Sequence, residues 1–461
     1  MKDGAASVAV IGGGVAGLVA TYRLLQQGHR VHLFEAGASV GGLLRTFEIG
    51  GERLECFYHH LFTSDGAAVR LLDELTLLKT VKWHPTTAGI FYNGRLYPFT
   101  STVDLLRFTP LAGIRDRIRL GLLGLRLRRE RDASKFEGVT AIDWMRRNAG
   151  ERSLRVIWEP LLRGKFGDMA DEVPMTWLWN RIRLRFSSRD LLSQKEVLGY
   201  QLGSFGVWVD ALVKLIEALG GEVEMNAAVD RIVSENAKLK VETIGGSAHT
   251  FDAVLATISN KALLRIAPRF GEEYTGRLKS VAYQDTVCLV LSLRRPLTGH
   301  YWLSINDRSV PFLTLVEQTN LVAPERYGGR HVVYIPNDVT RGSSLGQMTE
   351  GELAAAYLPH LRRMNPQFDE SWVEERWLFR ASDAQPVFTL GVGSRLAGHR
   401  TPVRGLYLAN MAQIYPHDRG QNYSILLGER AAAMIGEDLS PRDEMLPPSG
   451  LDPIPAPFPP E

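Results

Sequence analysis

The amino-acid sequence predicts an α/β fold, with a Rossmann-like parallel sheet interleaved with a second domain of α+β type. Three observations predict it. An apolar strand runs into a glycine-rich turn, an acidic residue ends the next strand, and a strand–loop–helix unit lies near residue 410. The first two form the pattern of a nucleotide-binding βαβ unit. A length of 461 residues also favours more than one domain.

The glycine-rich turn follows residues 7–11, a short apolar run typical of a buried strand. Gly12 allows the tight turn, Gly14 lets the backbone approach a pyrophosphate, and Gly17 permits close packing of helix on strand. The N-terminus of the following helix faces the phosphate charge. The residues predicted to bind the ligand here are Gly12, Gly14, Val15, Ala16 and Gly17.

The second strand ends at Glu35, which stands 18 residues after Gly17. A carboxylate at this position accepts hydrogen bonds from ribose hydroxyls and repels a 2′-phosphate, which argues against NADP. Ala36 follows directly and is assigned to the same site. Strand, glycines, helix, strand and terminal acid in register predict a dinucleotide site.

A second glycine turn, Gly41-Gly42, is followed by Leu43 and, two positions later, by Arg45. Here the sequence resembles the flavin-containing amine oxidase superfamily, which includes protoporphyrinogen oxidases, phytoene-type desaturases and UDP-galactopyranose mutases. The resemblance implies a GR2-type domain in which this turn runs beside the pyrophosphate of FAD. Many members have arginine directly after the glycine pair. In this chain Leu43 stands at that position, so the resemblance leaves open which side chain, such as that of Arg45, neutralises the phosphate charge.

The resemblance also implies FAD contacts in two distant segments. Val229, at the start of a strand, would contact the adenine through its backbone. Residues 405–410 are predicted to form a strand that enters a loop, and a helix beginning near residue 423 would cover the flavin. Many members have an acid where this chain has Asn410, whose amide can form hydrogen bonds but supplies no charge. The contacts assigned here are Asn410, Gln421, Asn422, Tyr423 and Ser424.

These segments predict a discontinuous FAD-binding domain and a substrate domain inserted into it. The FAD-binding domain comprises residues 1–50, 200–265 and 395–436. The substrate domain comprises residues 51–199, Arg-rich and mostly helical, and residues 266–394, with strands of an antiparallel sheet over the flavin followed by helices. Residues 437–461 are predicted to be a proline-rich tail.

Candidate catalytic residues lie in two places. His417 and Asp418 stand in the loop expected beside the flavin ring, and are the first candidates for proton transfer. The neighbours His59 and His60 would point to opposite faces of an extended segment, so one of them is expected to face the site; His59 is assigned. Residues 158–167 are predicted to be a loop that contacts an anionic substrate.

The resemblance implies an FAD-dependent oxidoreductase of the dehydrogenase, oxidase or desaturase type. It would transfer hydride between flavin N5 and a small-molecule substrate that is hydrophobic or polycyclic and compatible with negative charge. One alternative is a non-redox enzyme similar to UDP-galactopyranose mutases, because residues 58–65 are similar to a segment of those enzymes. A second alternative is a non-catalytic flavoprotein that keeps the nucleotide fold for stability.

The composition limits the classes of partner and the cellular location that are expected. The net charge of +3 and the lack of a recognition module argue against nucleic acid. Residues 105–131 interleave apolar residues with arginines, which fits a membrane surface, a solvated face or a positive rim for an anionic substrate. Cys56 and Cys288 match no zinc spacing, and no metal is expected. A cytoplasmic location is expected, with peripheral membrane contact and the oligomeric state left open.

Overall fold

The structure is a computed structural model that describes residues 5–111, 113–189 and 195–440. Its strands, in chain order, are β1 (Ser7–Ile11), β2 (Arg30–Phe34), β3 (Thr46–Ile49), β4 (Glu52–Glu55), β5 (Leu61–Phe62), β6 (Val81–Thr86), β7 (Ala88–Tyr92), β8 (Arg95–Pro98), β9 (Glu196–Gln201), β10 (Glu222–Glu224), β11 (Val229–Glu235), β12 (Lys238–Thr243), β13 (Ala248–Phe251), β14 (Ala253–Ala256), β15 (Ala282–Leu293), β16 (Trp302–Ile305), β17 (Thr314–Glu317), β18 (His331–Val339), β19 (Val373–Val387) and β20 (Leu406–Leu408).

The α-helices in the same part of the chain are α1 (Val15–Gln26), α2 (Gly66–Glu74), α3 (Thr102–Arg107), α4 (Ile114–Arg129), α5 (Ala141–Ala149), α6 (Glu151–Ser153), α7 (Glu159–Phe166), α8 (Met175–Ser187), α9 (Gly206–Ala218), α10 (Asn260–Ile266), α11 (Glu272–Lys279), α12 (Ser344–Gln347), α13 (Glu350–Met364) and α14 (Gln421–Leu439). The described chain opens with a β1-α1-β2 unit, which belongs to the predicted α/β class, and this class is confirmed.

The nucleotide-binding sheet is parallel throughout, in the order β10-β2-β1-β14-β20. Its central strand β1 is buried on both faces, which explains the uninterrupted apolar run of residues 8–11. Helix α14 packs against α1 so closely that a Cβ on Gly428 would lie 2.5 Å from the carbonyl oxygen of Ala16. The first and last helices of the described part of the chain therefore meet beside one sheet.

A second sheet of seven strands has the order β19-β15-β18-β17-β16-β7-β8. Its pairs are antiparallel except β16 with β7. The long strands β15 and β19 come from the second predicted insertion, whereas β7 and β8 come from the first. Both insertions thus contribute to one sheet, and its face carries side chains that reach the cavity described below.

Two local predictions differ from the structure, and the basic stretch, for which no single element was predicted, forms two helices. Residues 158–167 are not a loop: α7 spans Glu159–Phe166, and Pro160 occupies its first turn, where a missing N–H does not matter. The basic stretch 105–131 is split between α3 and α4, with Thr109 and Pro110 between them. Helix α14 continues to Leu439, so the segment predicted as a tail from residue 437 begins inside a helix, and its residues 441–461 lie outside the described part.

Candidate active site

Two glycine turns lie back to back at the carboxyl end of β1. The Gly41 N–H donates to the Gly13 carbonyl oxygen at 2.7 Å, which fixes the second turn against the first. A Cβ on Gly17 would lie 1.9 Å from the carbonyl oxygen of Gly12, so only glycine lets α1 start this close to the turn. A Cβ on Gly14 would meet nothing within 4 Å, because this position faces an open cavity.

Glu35 ends β2 at the same edge and lines the cavity. Its two carboxylate oxygens accept the backbone N–H groups of Gly13 and Gly37, both at 2.7 Å. These bonds fix the orientation of the carboxylate, and its remaining lone pairs can accept hydroxyl donors. The cradle therefore offers glycine backbone, a helix N-terminus and an oriented acid, and these groups fit the adenosine and pyrophosphate parts of FAD.

The cavity has a volume of about 550 Å³ and runs from the glycine turns to α14. Most predicted FAD contacts line it, whereas Gly17, Ala36, Arg45 and Val229 do not. Gly17 instead permits close packing of α1, because a Cβ at this position would clash with the carbonyl oxygen of Gly12. The Arg45 guanidinium instead donates to the Arg380 carbonyl oxygen at 2.6 Å. The predicted residues that line the cavity are Gly12, Gly14, Val15, Ala16, Glu35, Gly41, Gly42, Leu43, Asn410, Gln421, Asn422, Tyr423 and Ser424.

Asn410 follows β20 and joins two loops across the cavity edge. Its side-chain N–H₂ group donates to the Ile258 carbonyl oxygen at 2.7 Å and to Asn260 Oδ1 at 2.9 Å. Its Oδ1 accepts the Ala412 N–H at 2.9 Å. A carboxylate cannot donate to a carbonyl oxygen, so this bridging role explains why an amide replaces the acid that the resemblance leads one to expect.

The start of α14 is tied to the opposite wall of the cavity. Asn422 Oδ1 accepts the N–H groups of Ala67 and Ala68, at 2.9 and 3.1 Å, at the N-terminal end of α2. Tyr423 stacks on His417, with ring centroids 4.1 Å apart and ring planes inclined by 22°. The predicted helix N-terminus is therefore fixed at the cavity, where the positive end of the helix dipole favours negative charge.

A buried cluster of charges surrounds Asp418. Lys165 Nζ lies 3.4 Å from Asp418 Oδ2 and 3.8 Å from Asp338 Oδ2, and Arg181 forms a closer ion pair with Asp418. Burial alone would raise the pKa of Asp418, but the charges of Lys165, Arg181 and Arg419 outweigh it and lower the pKa to about 2. Asp418 is therefore a carboxylate at neutral pH, and it holds two cations in place.

Three histidines line the cavity, of which His417 is buried and His59 and His60 are half-buried. His59 Nδ1 lies 2.7 Å from the Phe57 carbonyl oxygen, which can only accept, so Nδ1 carries the proton and Nε2 a lone pair. Burial lowers the pKa of His59 to about 4 and that of His60 to about 3. His417 Nδ1 lies 2.6 Å from the Asn180 side-chain N–H₂ group and accepts from it.

The expectation that only one of the adjacent histidines would face the site is wrong, because both His59 and His60 line the cavity. Residues 58–60 precede β5 and are not in a strand, so the alternation of side chains does not apply to them. Tyr58 and His60 instead form an aromatic wall with Trp302, at centroid distances of 5.3 and 6.5 Å from its ring.

A second cavity of about 510 Å³ adjoins the first. Its wall is mostly apolar and comes from α3, α4, α8 and the seven-stranded sheet. Its charged lining residues are five arginines and one glutamate: Arg117, Arg128, Arg181, Arg185, Arg189 and Glu196. Arg181, Arg185 and Trp302 line both cavities and mark their junction.

Sequence reasoning missed Arg181, Arg185 and Trp302, and it included Lys165 only within the run 158–167 that was predicted to be a loop. Arg181 and Arg185 stand four residues apart on α8, and this spacing places both on one helix face. The spacing was a usable signal, whereas the pairing of Arg185 with Trp302, whose ring centroid lies 4.7 Å from the guanidinium carbon, depends on tertiary packing. Among the described residues, no group of three or more His, Cys, Asp or Glu could hold a metal ion.

The fold and the paired cavities define a dinucleotide-binding protein with an adjoining ligand cavity. The family model described as flavin containing amine oxidoreductase matches residues 15–435, and the chain belongs to this family. The FAD cofactor and the oxidoreductase class of enzyme, both predicted from the sequence, are confirmed at the level of the family.

Two curated relatives match part of the chain. It is 26% identical over 275 residues to AofH of Mycobacterium tuberculosis, named as a flavin-containing monoamine oxidase, covering 58% of this chain and 60% of the relative. It is 22% identical over 290 residues to coproporphyrinogen III oxidase of Staphylococcus aureus, covering 56% of this chain and 61% of the relative. The matches thus span about three fifths of the length of these relatives.

Solved structures match nearly the whole chain. One from Exiguobacterium sp. 255-15, described as a protoporphyrinogen oxidase, has a TM-score of 0.75 and 17% identity, with 94% of this chain and 99% of that chain covered. A reduced UDP-galactopyranose mutase has a TM-score of 0.73 and 17% identity, with 95% and 96% covered. At such identities the likeness establishes the fold alone.

Proposed function

We propose that the chain oxidises a bulky, hydrophobic substrate with a negatively charged group, bound in the second cavity against FAD in the first. When bound, FAD supplies the two-electron acceptor. Support comes from the glycine cradle and Glu35 at one end of the first cavity and from the start of α14 at the other. We assign the FAD contacts to the predicted residues that line this cavity, with Gly17 acting through helix packing.

The observation that carries the choice of substrate is the pair of arginines at the junction. Arg181 and Arg185 project from one face of α8 into the region that both cavities share. Unit charges about 4 Å apart interact by about 4 kcal/mol at an effective dielectric constant of about 20. Arg181 already pairs with Asp418, and Arg185 lies 3.3 Å from Glu196. A substrate carboxylate therefore shares these arginines and gains part of this attraction, whereas a protonated amine meets repulsion from them. The single glutamate among five arginines of the second cavity leaves the balance positive.

The remaining lining of the second cavity supports a large apolar body for the substrate. Leucines, isoleucines and aromatic rings form most of its wall, and a volume of about 510 Å³ is in the range that binds drug-sized molecules. The edge-to-face rings of Tyr58, His60 and Trp302 provide aromatic faces and edges against which a conjugated ring system can pack.

Proton transfer in this proposal falls to the histidines. His59 offers an unprotonated Nε2 and its lowered pKa keeps it neutral, so it can accept a hydrogen bond from the substrate. His417 is the second candidate, oriented by Asn180 and by stacking on Tyr423. Asp418 stays charged because its pKa is about 2, and we assign it the positioning of Arg181 and Lys165 instead of proton donation.

The test is reduction of the FAD-loaded protein without oxygen, followed by the flavin absorbance. We expect coproporphyrinogen III, the compound in the name of the Staphylococcus aureus relative, to bleach the flavin band at least tenfold faster than benzylamine at equal concentration. Faster bleaching by benzylamine would overturn the proposed substrate class. Bleaching by dithionite alone, with neither compound active, would favour a non-catalytic flavoprotein.

The alternative function, that of a non-redox mutase, is tested in the same series of experiments. Incubation of chemically reduced protein with UDP-galactopyranose should produce no furanose form. The arginines of the second cavity could hold the diphosphate, but its mostly apolar wall leaves the hydroxyl groups of the sugar with few hydrogen-bond partners. Furanose formation without oxidation of the flavin would contradict the proposed oxidation and favour the mutase.

A further inference from the structure

An exposed apolar surface lies on two consecutive helices. We call it the α3–α4 ridge and define it by its six large apolar residues, which are 41% to 62% exposed: Val103, Leu106, Ile114, Ile118, Leu122 and Leu125. They are six of the ten large hydrophobic residues exposed within the described ranges. Because exposed apolar side chains are normally scattered singly, such a concentration indicates a contact surface.

The ridge is not a poorly buried part of the core. Leu120, Leu123 and Leu127 of α4 are 7%, 7% and 1% exposed and already supply its core contacts. The ridge residues of α4 follow a separate helical stripe, from Ile114 through Ile118 to Leu125, on the solvent side. Helix α4 therefore has two apolar faces, of which one packs against the protein and one is left open.

Arginines accompany this open face. Residues 102–131 contain eight arginines against Asp104, Asp116 and Glu130. Asp104 accepts from Ser101 and Thr100 in its own helix cap, and Glu130 pairs with Lys135, so two of the three acids are already engaged. An amphipathic surface with apolar residues flanked by arginines is complementary to a bilayer with anionic headgroups.

The ridge also forms the mouth of the second cavity. Leu106, Ile118, Leu122 and Leu125 are exposed and at the same time line that cavity. The apolar path from this mouth ends at Arg181, Arg185 and Trp302, where the first cavity begins. A hydrophobic molecule could therefore pass from a lipid layer to the junction without crossing water.

We propose that the α3–α4 ridge docks on an anionic lipid bilayer and that the substrate enters the second cavity from that bilayer. The docking depends on the ridge and its flanking arginines and is independent of the proposed function. The entry of substrate, in contrast, rests on the proposed function. In the described residues, no helix is long and apolar enough to cross a membrane. The contact is accordingly with the surface of the bilayer.

The first experiment is flotation of the FAD-loaded protein with vesicles of phosphatidylcholine, with and without phosphatidylglycerol. We expect binding to the anionic vesicles and a loss of at least about tenfold in the double variant Val103→Glu, Ile114→Glu. These two residues belong to the ridge but do not line the second cavity. Ile244→Glu, at a position 74% exposed in the turn between β12 and β13, is the control and should bind like the unaltered protein.

The charge component is tested by Arg126→Glu with Arg129→Glu. These exposed arginines do not line either cavity, and their reversal should weaken binding to anionic vesicles by at least about tenfold. The control with the same change in charge is Arg265→Glu with Arg269→Glu, both exposed near α10. Equal binding of the two double variants would overturn an electrostatic role for the ridge.

Three outcomes contradict the docking proposal: no flotation of the unaltered protein, flotation that the ridge variants leave unchanged, or a dimer in solution that Ile114→Glu dissociates while vesicle binding stays absent. The last would assign the ridge to a second copy of the chain. Flotation as expected, with no reduction of FAD by the anionic substrate in the absence or presence of vesicles, would support docking and overturn the proposed function.

Discussion

Replacing Gly14 by valine is expected to give a folded protein that has lost its FAD. The backbone at Gly14 is extended, with φ of −72° and ψ of 178°, so a β-branched residue fits the local conformation. Its Cβ would meet no protein atom within 4 Å and would extend into the cavity instead. Because the pyrophosphate must approach this backbone closely, we expect affinity for FAD to fall on the order of 100-fold, about 3 kcal/mol.

Gly271 provides the control for that variant. It too precedes a helix, has an extended backbone with φ of −61° and ψ of 162°, and has no atom within 4 Å of a built Cβ. Gly271→Val should therefore keep full FAD content. Titration of both apoproteins with FAD, followed by flavin fluorescence, measures the difference. Equal affinities in the two variants would show that the glycine cradle does not hold the cofactor.

Replacing Arg185 by glutamine should lower kcat/KM for an anionic substrate by about 30-fold, since a hydrogen bond to a charged group contributes about 2 kcal/mol. The change leaves the glycine turns untouched, so FAD content should stay the same. The more specific test is the selectivity between a charged substrate and its uncharged ester. The methyl ester of the same substrate carries no charge, and its kcat/KM should be nearly equal in the variant and the unaltered enzyme.

Arg183→Gln is the matched control, because Arg183 lies on the same helix, contacts the Trp179 ring and lines neither cavity. It should alter neither the acid nor the ester. Steady-state kinetics with both compounds decides the matter. A parallel loss for acid and ester in Arg185→Gln would mean that Arg185 supports the structure of the junction and does not recognise charge.

The nucleotide-binding half of the fold could be predicted because its constraints are local. Only glycine fits at Gly12, whose φ is +105°, and at Gly17, where a Cβ would meet a carbonyl oxygen. The buried strand β1 and the acid that ends β2 are likewise indicated by short runs of consecutive residues. The segment near Asn410 could be joined to them by its resemblance to a family, and the sheet order places it beside β14.

The junction of the cavities could not be predicted in the same way. Trp302 and Arg185 are 117 residues apart in sequence and meet only through packing of α8 against the seven-stranded sheet. Lys165 lies in a run whose proline suggested a loop, although a proline in the first helical turn is compatible with α7. Arginine-rich segments also have a solvated alternative, so their spacing alone does not reveal which side chains face a cavity.

The central claim is that the two cavities form one active site, with FAD in the first and an anionic, hydrophobic substrate in the second. A crystal structure of the FAD-loaded protein with a redox-inert polycyclic dicarboxylate tests it most directly. The account predicts the apolar body of the ligand between α4 and α8, with one carboxylate within hydrogen-bonding distance of Arg185 and the flavin ring across the junction. A ligand bound elsewhere, or FAD outside the glycine cradle, would contradict it.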